Sequence, residues 1–97
     1  DLHQDHSVVA MEGLRAFKKT SILGYEIPWN NLNFQTNCFS ILNSENINTK
    51  IKALKCYESQ MGKDYATENF IKSLAKTRGV QIGEKWAEVF EVIRWKI

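Results

Sequence analysis

After a polar opening stretch, apolar and small residues recur at three- and four-residue intervals. Val9, Ala10, Gly13, Leu14 and Phe17 share one face, and this spacing predicts a helix from residue 5 or 6 to about residue 19. Arg15, Lys18 and Lys19 fall on the other side or near the C-terminal end, where cations suit the helix dipole. Asp5 is placed to cap the start. Followed backwards from Phe17 through Gly13 and Ala10, the stripe arrives at His6, so the helix aims that side chain toward the interior at its own mouth.

The pattern then changes period. Residues 21–27 read as a strand ended by Pro28, which has no N–H for a ladder. Trp29, Asn30 and Asn31 read as a turn, and residues 34–42 as a second strand in which Thr36, Phe39 and Ile41 favour extension. Asn43-Ser44-Glu45 is a helix start with Ser44 as its expected cap. Ile47, Ile51, Leu54, Tyr57 or Glu58, and Met61 continue at helical spacing up to Gly62. A further helix is expected from Thr67-Glu68, burying Phe70, Ile71, Leu74 and Ala75, with Gly79 as a left-handed C-terminal cap. Residues 86–97 carry the strand formers Val89, Val92, Ile93 and Trp95, apolar on both faces as in a strand buried in a sheet.

The order is helix, two strands, two helices, strand, an α/β chain. Three strands alone leave long edges and an uncovered face. The elements are therefore expected to be the C-terminal portion of a larger sheet, and residues 1–97 a single partial domain. That the chain opens on Asp1-Leu2-His3 without methionine agrees with a preceding part elsewhere.

Composition narrows the function. A hydrophobic fraction of 43% and a charged fraction of 25% suit a folded chain rather than a disordered one. Thirteen basic against eleven acidic residues give a net charge of +2, too small and too dispersed to argue for nucleic acid or an anionic membrane. No apolar run approaches the roughly 20 residues of a membrane span. Cys38 and Cys56 form neither a disulfide framework nor a Cys-x-x-Cys pair. Both are expected to be reduced, buried thiols, which with the lack of a glycosylation acceptor sequence points to the cytoplasm.

The candidate chemistry sits at the front. The two histidines of the chain are His3 and His6, with Asp5 between them. A histidine at a helix start also serves simply as a polar cap, and that reading stays open. A zinc hydrolase, however, needs imidazole or carboxylate ligands, an open position for water, a carboxylate to orient an imidazole and a proton donor near the developing oxyanion. His-x-Asp-His offers those residue types within four positions. A catalytic zinc wants about three protein ligands, and the chain has no further histidine to complete the set.

The stretch Asp1-Leu2-His3-Gln4-Asp5-His6-Ser7-Val8-Val9 resembles the second motif of the PIG-L/LmbE family of zinc-dependent N-deacetylases. Residues 50–60, a Lys-rich helix ending in Ser59-Gln60, resemble a second landmark of that family. Arg78-Gly79, Gly83 and then Trp86-Ala87-Glu88-Val89-Phe90 resemble its closing Ala-Glu-x-Phe segment. The likeness covers essentially the whole chain. It implies the C-terminal portion of a Rossmann-like, LmbE-type three-layer α/β fold that hydrolyses the acetamido group of an N-acetyl amino sugar or glycoconjugate. By the same resemblance His6 is a zinc ligand, His3 the acid or oxyanion stabiliser, and Asp5 the residue that orients His3. The remaining ligands and the general base belong to an Ala-His-Pro-Asp-Asp motif absent here, so zinc would be completed by an N-terminal segment. Trp86 stands where the family often has tyrosine, and core packing explains it equally. Trp29 could stack on a sugar and Glu26 bind hydroxyls, although edge-strand packing accounts for both nearly as well. A homo-oligomer is the expected assembly. The alternative is a non-catalytic carbohydrate-binding or structural fragment of the same fold.

Overall fold

A computed structural model describes residues 1–57, 62, 63 and 66–97. The fold is a small mixed α/β arrangement with element order α1 (Gln4–Ala16), β1 (Ile22–Tyr25), β2 (Cys38–Leu42), α2 (Ser44–Lys55), α3 (Glu68–Gln81) and β3 (Trp86–Arg94). The three strands form one sheet in the order β1-β3-β2, so the doubly apolar last strand is the central one, as its pattern implies. No helix among the described residues is long and apolar enough to cross a membrane. Two compact units divide the chain, one of residues 1–38 with 89–97 and one of residues 39–88.

In the first unit, α1 begins with His3, not Asp5, as its cap. His3 takes an extended backbone (φ −72°, ψ 128°), and its ring accepts from the Asp5 N–H. The helix ends at Ala16, a turn earlier than its periodicity predicts. Phe17 already leaves helical geometry (φ −108°, ψ 51°). Its carbonyl instead receives the Arg94 guanidinium at 2.6 Å, a cation on a helix C-terminus. β1 runs antiparallel to β3, with Leu23 opposite Val92, Gly24 opposite Glu91 and Tyr25 opposite Phe90. The register slips between Ile22 and Leu23, which leaves Ile93 as the extra residue of a bulge. An Ile93 methyl lies 3.3 Å from where a Cβ on Gly24 would stand. Side chains extend the pairing: the Ser21 hydroxyl oxygen accepts the Lys96 N–H at 2.9 Å, and Asn37 Oδ1 accepts the Val92 N–H at 2.9 Å.

The second unit is built on α2 and α3. Asn43, rather than Ser44, caps α2, and Asn46 completes a reciprocal pair: Asn43 Oδ1 accepts the Asn46 N–H at 2.8 Å, and Asn46 Oδ1 accepts the Asn43 N–H at 3.0 Å. Two orphan donors of the first turn are satisfied at once. α2 ends at Lys55 with Cys56 as C-cap. The expected extension through Glu58 and Met61 falls outside the described residues, while Gly62 takes a positive φ of 83°, suited to a chain reversal. Ile47 and Ile51 from α2 meet Ile71 and Ala75 from α3, with Leu42, Leu54 and Trp86 packed around them. The i, i+4 spacing of both pairs produces this core. Phe70 and Leu74, expected in it, are only half-buried.

Two further expectations change. Gly79 is no left-handed cap: it is a buried residue inside α3, which continues to Gln81, and the positive φ belongs to Gly83 (73°). Gly79 is needed for a different reason, since an added Cβ would stand 2.6 Å from the Glu84 carbonyl oxygen. Of the two thiols, Cys38 is half-buried and Cys56 exposed. Cys56 closes α2, where its Sγ reaches the Lys52 carbonyl at 3.4 Å, so a helix end rather than the core holds it.

Candidate metal centre

His3, Asp5 and His6 come together because an extended residue precedes a helix. The extended cap at His3 turns the chain, and residues 1 and 2 are carried back beside the first turn. Two bonds fix that return: the Leu2 N–H donates to the Asn30 carbonyl at 3.0 Å, and the Ser7 hydroxyl donates to the Asp1 carbonyl at 3.1 Å. The imidazoles of His3 and His6, three residues apart, then stack with centroids 4.3 Å apart and planes 24° from parallel.

Although chemically identical, the two rings are held in opposite ways. His6 Nδ1 lies 2.9 Å from Asp1 Oδ2. A carboxylate only accepts, so in the neutral ring Nδ1 carries the proton and Nε2 presents its lone pair. His3 Nδ1 accepts the Asp5 main-chain N–H at 3.2 Å, so in the neutral ring the proton sits on Nε2. The hydrogen-bond network assigns both tautomers. One ring offers a metal-binding lone pair and the other a donor.

Asp1 is the residue that sequence reasoning passed over. It grips both ends of the motif, since Oδ1 accepts the His3 N–H at 2.8 Å while Oδ2 takes His6. Its side chain is 17% exposed against 42% for His6. Asp5 does contact His3, but through its main chain rather than through its carboxylate. The reason is His3's place at the cap, where its ring overlies the orphan N–H groups of the first turn.

His6 is less interior than its helical stripe suggests. No residue of α1 is buried, and Val9 and Phe17 are 70% and 60% exposed. His6, Val9, Gly13, Leu14 and Phe17 form one wall of an open groove of about 650 Å³, faced by β1 residues including Leu23 and Tyr25. Periodicity identifies which residues share a face; it does not say what covers it.

The remaining candidates are spread more widely. Glu26 is half-buried and Trp29 about half-exposed, and neither is among the residues lining the groove, whereas Tyr25 and Ile27 are. The turn carrying Trp29 is closed on Ile27, whose carbonyl accepts the Asn30 and Asn31 N–H groups at 2.9 Å. Trp86 belongs to the second unit and packs on its isoleucine core. Its indole Nε1–H is buried with no partner among the described residues, and the Lys85 ammonium lies 5.6 Å from its ring. Ser59 and Gln60 of the Lys-rich landmark lie outside the described residues. Lys50 reaches Glu88 at 3.5 Å, a contact between the second landmark and the closing one.

Among the described residues, no three His, Cys, Asp or Glu side chains gather as a metal-binding group. His6 is suited to be one ligand, and His3 is not a second: coordination through Nε2 would require Nδ1 to carry the proton, where it now accepts one. Comparison with protein-family models, with curated proteins and with solved structures finds no match.

Proposed function

We propose that this chain supplies the His-x-Asp-His half of a zinc-dependent hydrolase that deacetylates an N-acetyl amino sugar or glycoconjugate, within a Rossmann-like fold of the LmbE type. The observation that carries the reading is the opposite hydrogen bonding of His3 and His6. A zinc ligand must present a free Nε2 lone pair with its other nitrogen donating to a carboxylate or carbonyl, and His6 meets that requirement through Asp1. An oxyanion stabiliser must present an N–H toward the reacting centre, and His3 meets that one through the Asp5 N–H, which leaves its own proton on Nε2.

Under this reading His6 holds the metal together with ligands from sequence other than the described residues, as the family pattern implies. Zinc, when bound, supplies a Lewis acid that polarises the acetamide carbonyl and brings the pKa of water down toward about 7. His3 would present its Nε2–H to the oxygen on which negative charge grows, as a hydrogen-bond donor that keeps its proton. The products are acetate and a free amino group. Asp5 contributes its main-chain N–H, which keeps the His3 proton on the reactive nitrogen. The base that takes the water's proton lies with the other ligands. Glu26 and Trp29, which belong to the same unit as the histidines, remain candidates for sugar contacts. The reading includes a cytoplasmic, self-associating enzyme without a nucleic-acid partner.

The test is His6→Ala in the full natural chain, with zinc content measured by metal analysis and acetate release followed on several N-acetyl amino sugars. Loss of both is expected. Unchanged zinc and unchanged turnover would refute the assignment.

A further inference from the structure

Beyond the pair of histidines, the carboxylate of Asp1 bears on both of them at once. Among the described residues it is the one acidic side chain that joins the backbone of one histidine to the ring of the other, with Oδ1 on the His3 N–H at 2.8 Å and Oδ2 on His6 Nδ1 at 2.9 Å. From this bridge we infer that Asp1 is a positioning residue: it sets the tautomer and ring orientation of His6 and thereby makes Nε2 a metal ligand. The inference rests on the reading of His6 as a zinc ligand, but its tautomeric part is independent of any metal.

The geometry gives the carboxylate two separable tasks. Oδ1 serves the backbone, holding the residue that caps α1, while Oδ2 serves the ring. A free imidazole exchanges its proton between two nitrogens, and only the Nδ1–H form leaves Nε2 able to coordinate. Because the Asp1 carboxylate has no proton to give, its Oδ2 selects that form. The Asp1 carbonyl adds a third tie, accepting the Ser7 hydroxyl at 3.1 Å. Asp1 is thus fixed beside the first turn of α1 at its carboxylate and at its main chain, and the carboxylate cannot swing away without losing the His3 N–H.

This division makes Asp1→Asn the informative substitution. The amide oxygen can stay on the His3 N–H, which preserves the helix start. The amide nitrogen then faces His6 Nδ1 and donates to it, which forces the proton onto Nε2 and removes the ligand lone pair. An Asp-to-Asn change beside a catalytic histidine acts in this manner elsewhere, with the wrong tautomer as its consequence. Asp1→Ala removes both bonds and serves as the second variant, leaving the His6 proton free to exchange.

The experiment uses the full natural chain, wild type and both variants, with ¹⁵N imidazole NMR of the metal-free protein and zinc affinity by competition with a chromophoric chelator. The expected wild-type spectrum has His6 as the Nδ1–H form and His3 as the Nε2–H form. In Asp1→Asn, His6 should switch to Nε2–H with the far-UV spectrum unchanged, and zinc affinity should fall roughly 10–100-fold, the range for losing a ligand's outer partner. In Asp1→Ala the two His6 forms should mix and the affinity should fall within the same range. A wild-type His6 in the Nε2–H form overturns the inference at once. So does an Asp1→Asn protein that keeps both the wild-type tautomer and the wild-type affinity while His6→Ala loses zinc. If His6→Ala itself retains zinc, the zinc reading fails, and the metal half of this inference fails with it.

Discussion

Replacing Gly79 by alanine should destabilise the protein, although it places the best helix former inside a helix. Gly79 is buried in α3, two residues before the helix ends. A Cβ there would stand 2.6 Å from the Glu84 carbonyl oxygen and 2.8 Å from both the carbonyl carbon and oxygen of Lys85. Ordinary contact begins near 3.4 Å, so the Glu84 carbonyl must retreat by 3.4 − 2.6 = 0.8 Å. All three obstacles are backbone, and no side-chain rotation relieves them. The same turn is tied to Gly79 by its own carbonyl, which accepts Ile82 N–H at 3.0 Å and Glu84 N–H at 2.8 Å. Overpacking of this kind costs about 1–3 kcal/mol, and weakening the two hydrogen bonds adds about 0.5–1.5 kcal/mol each. The helix propensity of alanine returns about 1 kcal/mol. The net loss is about 3 kcal/mol, which for a chain of this size lowers the melting temperature by roughly 12–24 °C. Thermal and urea denaturation followed by far-UV circular dichroism would measure it. A melting temperature unchanged or raised would refute the steric argument and leave Gly79 an ordinary helical glycine.

Two further substitutions probe other terms. Ile47, 2% exposed at the centre of the α2–α3 core, should lose about 2–5 kcal/mol on truncation to alanine; a denaturation midpoint within experimental error of wild type would show that this cluster is not the stabilising core. Glu68 donates no proton but accepts from the Lys72 ammonium at 2.8 Å. That hydrogen bond, and next the charge of Lys72, hold the Glu68 carboxyl below the usual carboxylate range. A folded-state pKa depressed in this way gives a contribution present above the unfolded carboxylate value, about pH 4, and lost as pH falls through the folded one. The group is exposed to solvent, so the effect should be small and screened by salt. Carboxyl ¹³C NMR should place the Glu68 midpoint lower in wild type than in Lys72→Met, with the gap shrinking in 1 M salt; equal midpoints at low salt would dismiss the pair.

Element order was legible in the sequence because it depends on period, and period survives without tertiary information. α1, β1, β2, α2, α3 and β3 follow one another as the apolar spacing predicts. Element ends were less legible, because they are decided by groups far along the chain. α1 stops at Ala16 where Arg94, 77 residues beyond Phe17, meets the Phe17 carbonyl. β2 starts at Cys38 rather than at residue 34. Before it, Gln35 donates its N–H to the Glu91 side chain and Asn37 accepts from Val92, so side chains take the place of a ladder there. The Gly79 error has a similar origin. Glycine near a helix end suggests a left-handed cap, yet here the missing Cβ makes room for the backbone of Glu84 and Lys85.

The histidine motif was visible as residue types at a spacing, while the roles within it depend on what faces each Nδ1. Spacing placed His6 on the inward stripe of a helix start and His3 on the chain just before it, but spacing alone does not say what either ring bonds. The two rings become distinct because His3 is the cap. A cap residue's side chain meets main-chain N–H groups, so the His3 ring must accept at Nδ1 and carry its proton on Nε2. A residue one turn into the helix has no such N–H to meet. His6 therefore takes its partner from the chain before the cap, which the extended backbone at His3 brings back alongside it. The residue two before the cap is the one delivered, and in this sequence it is Asp1. An aspartate at that position is thus the readable mark of an oriented second histidine: a serine or asparagine there could still hold the His3 N–H, but neither would force His6 to donate. The local rule that starts the helix also divides the chemistry of the pair.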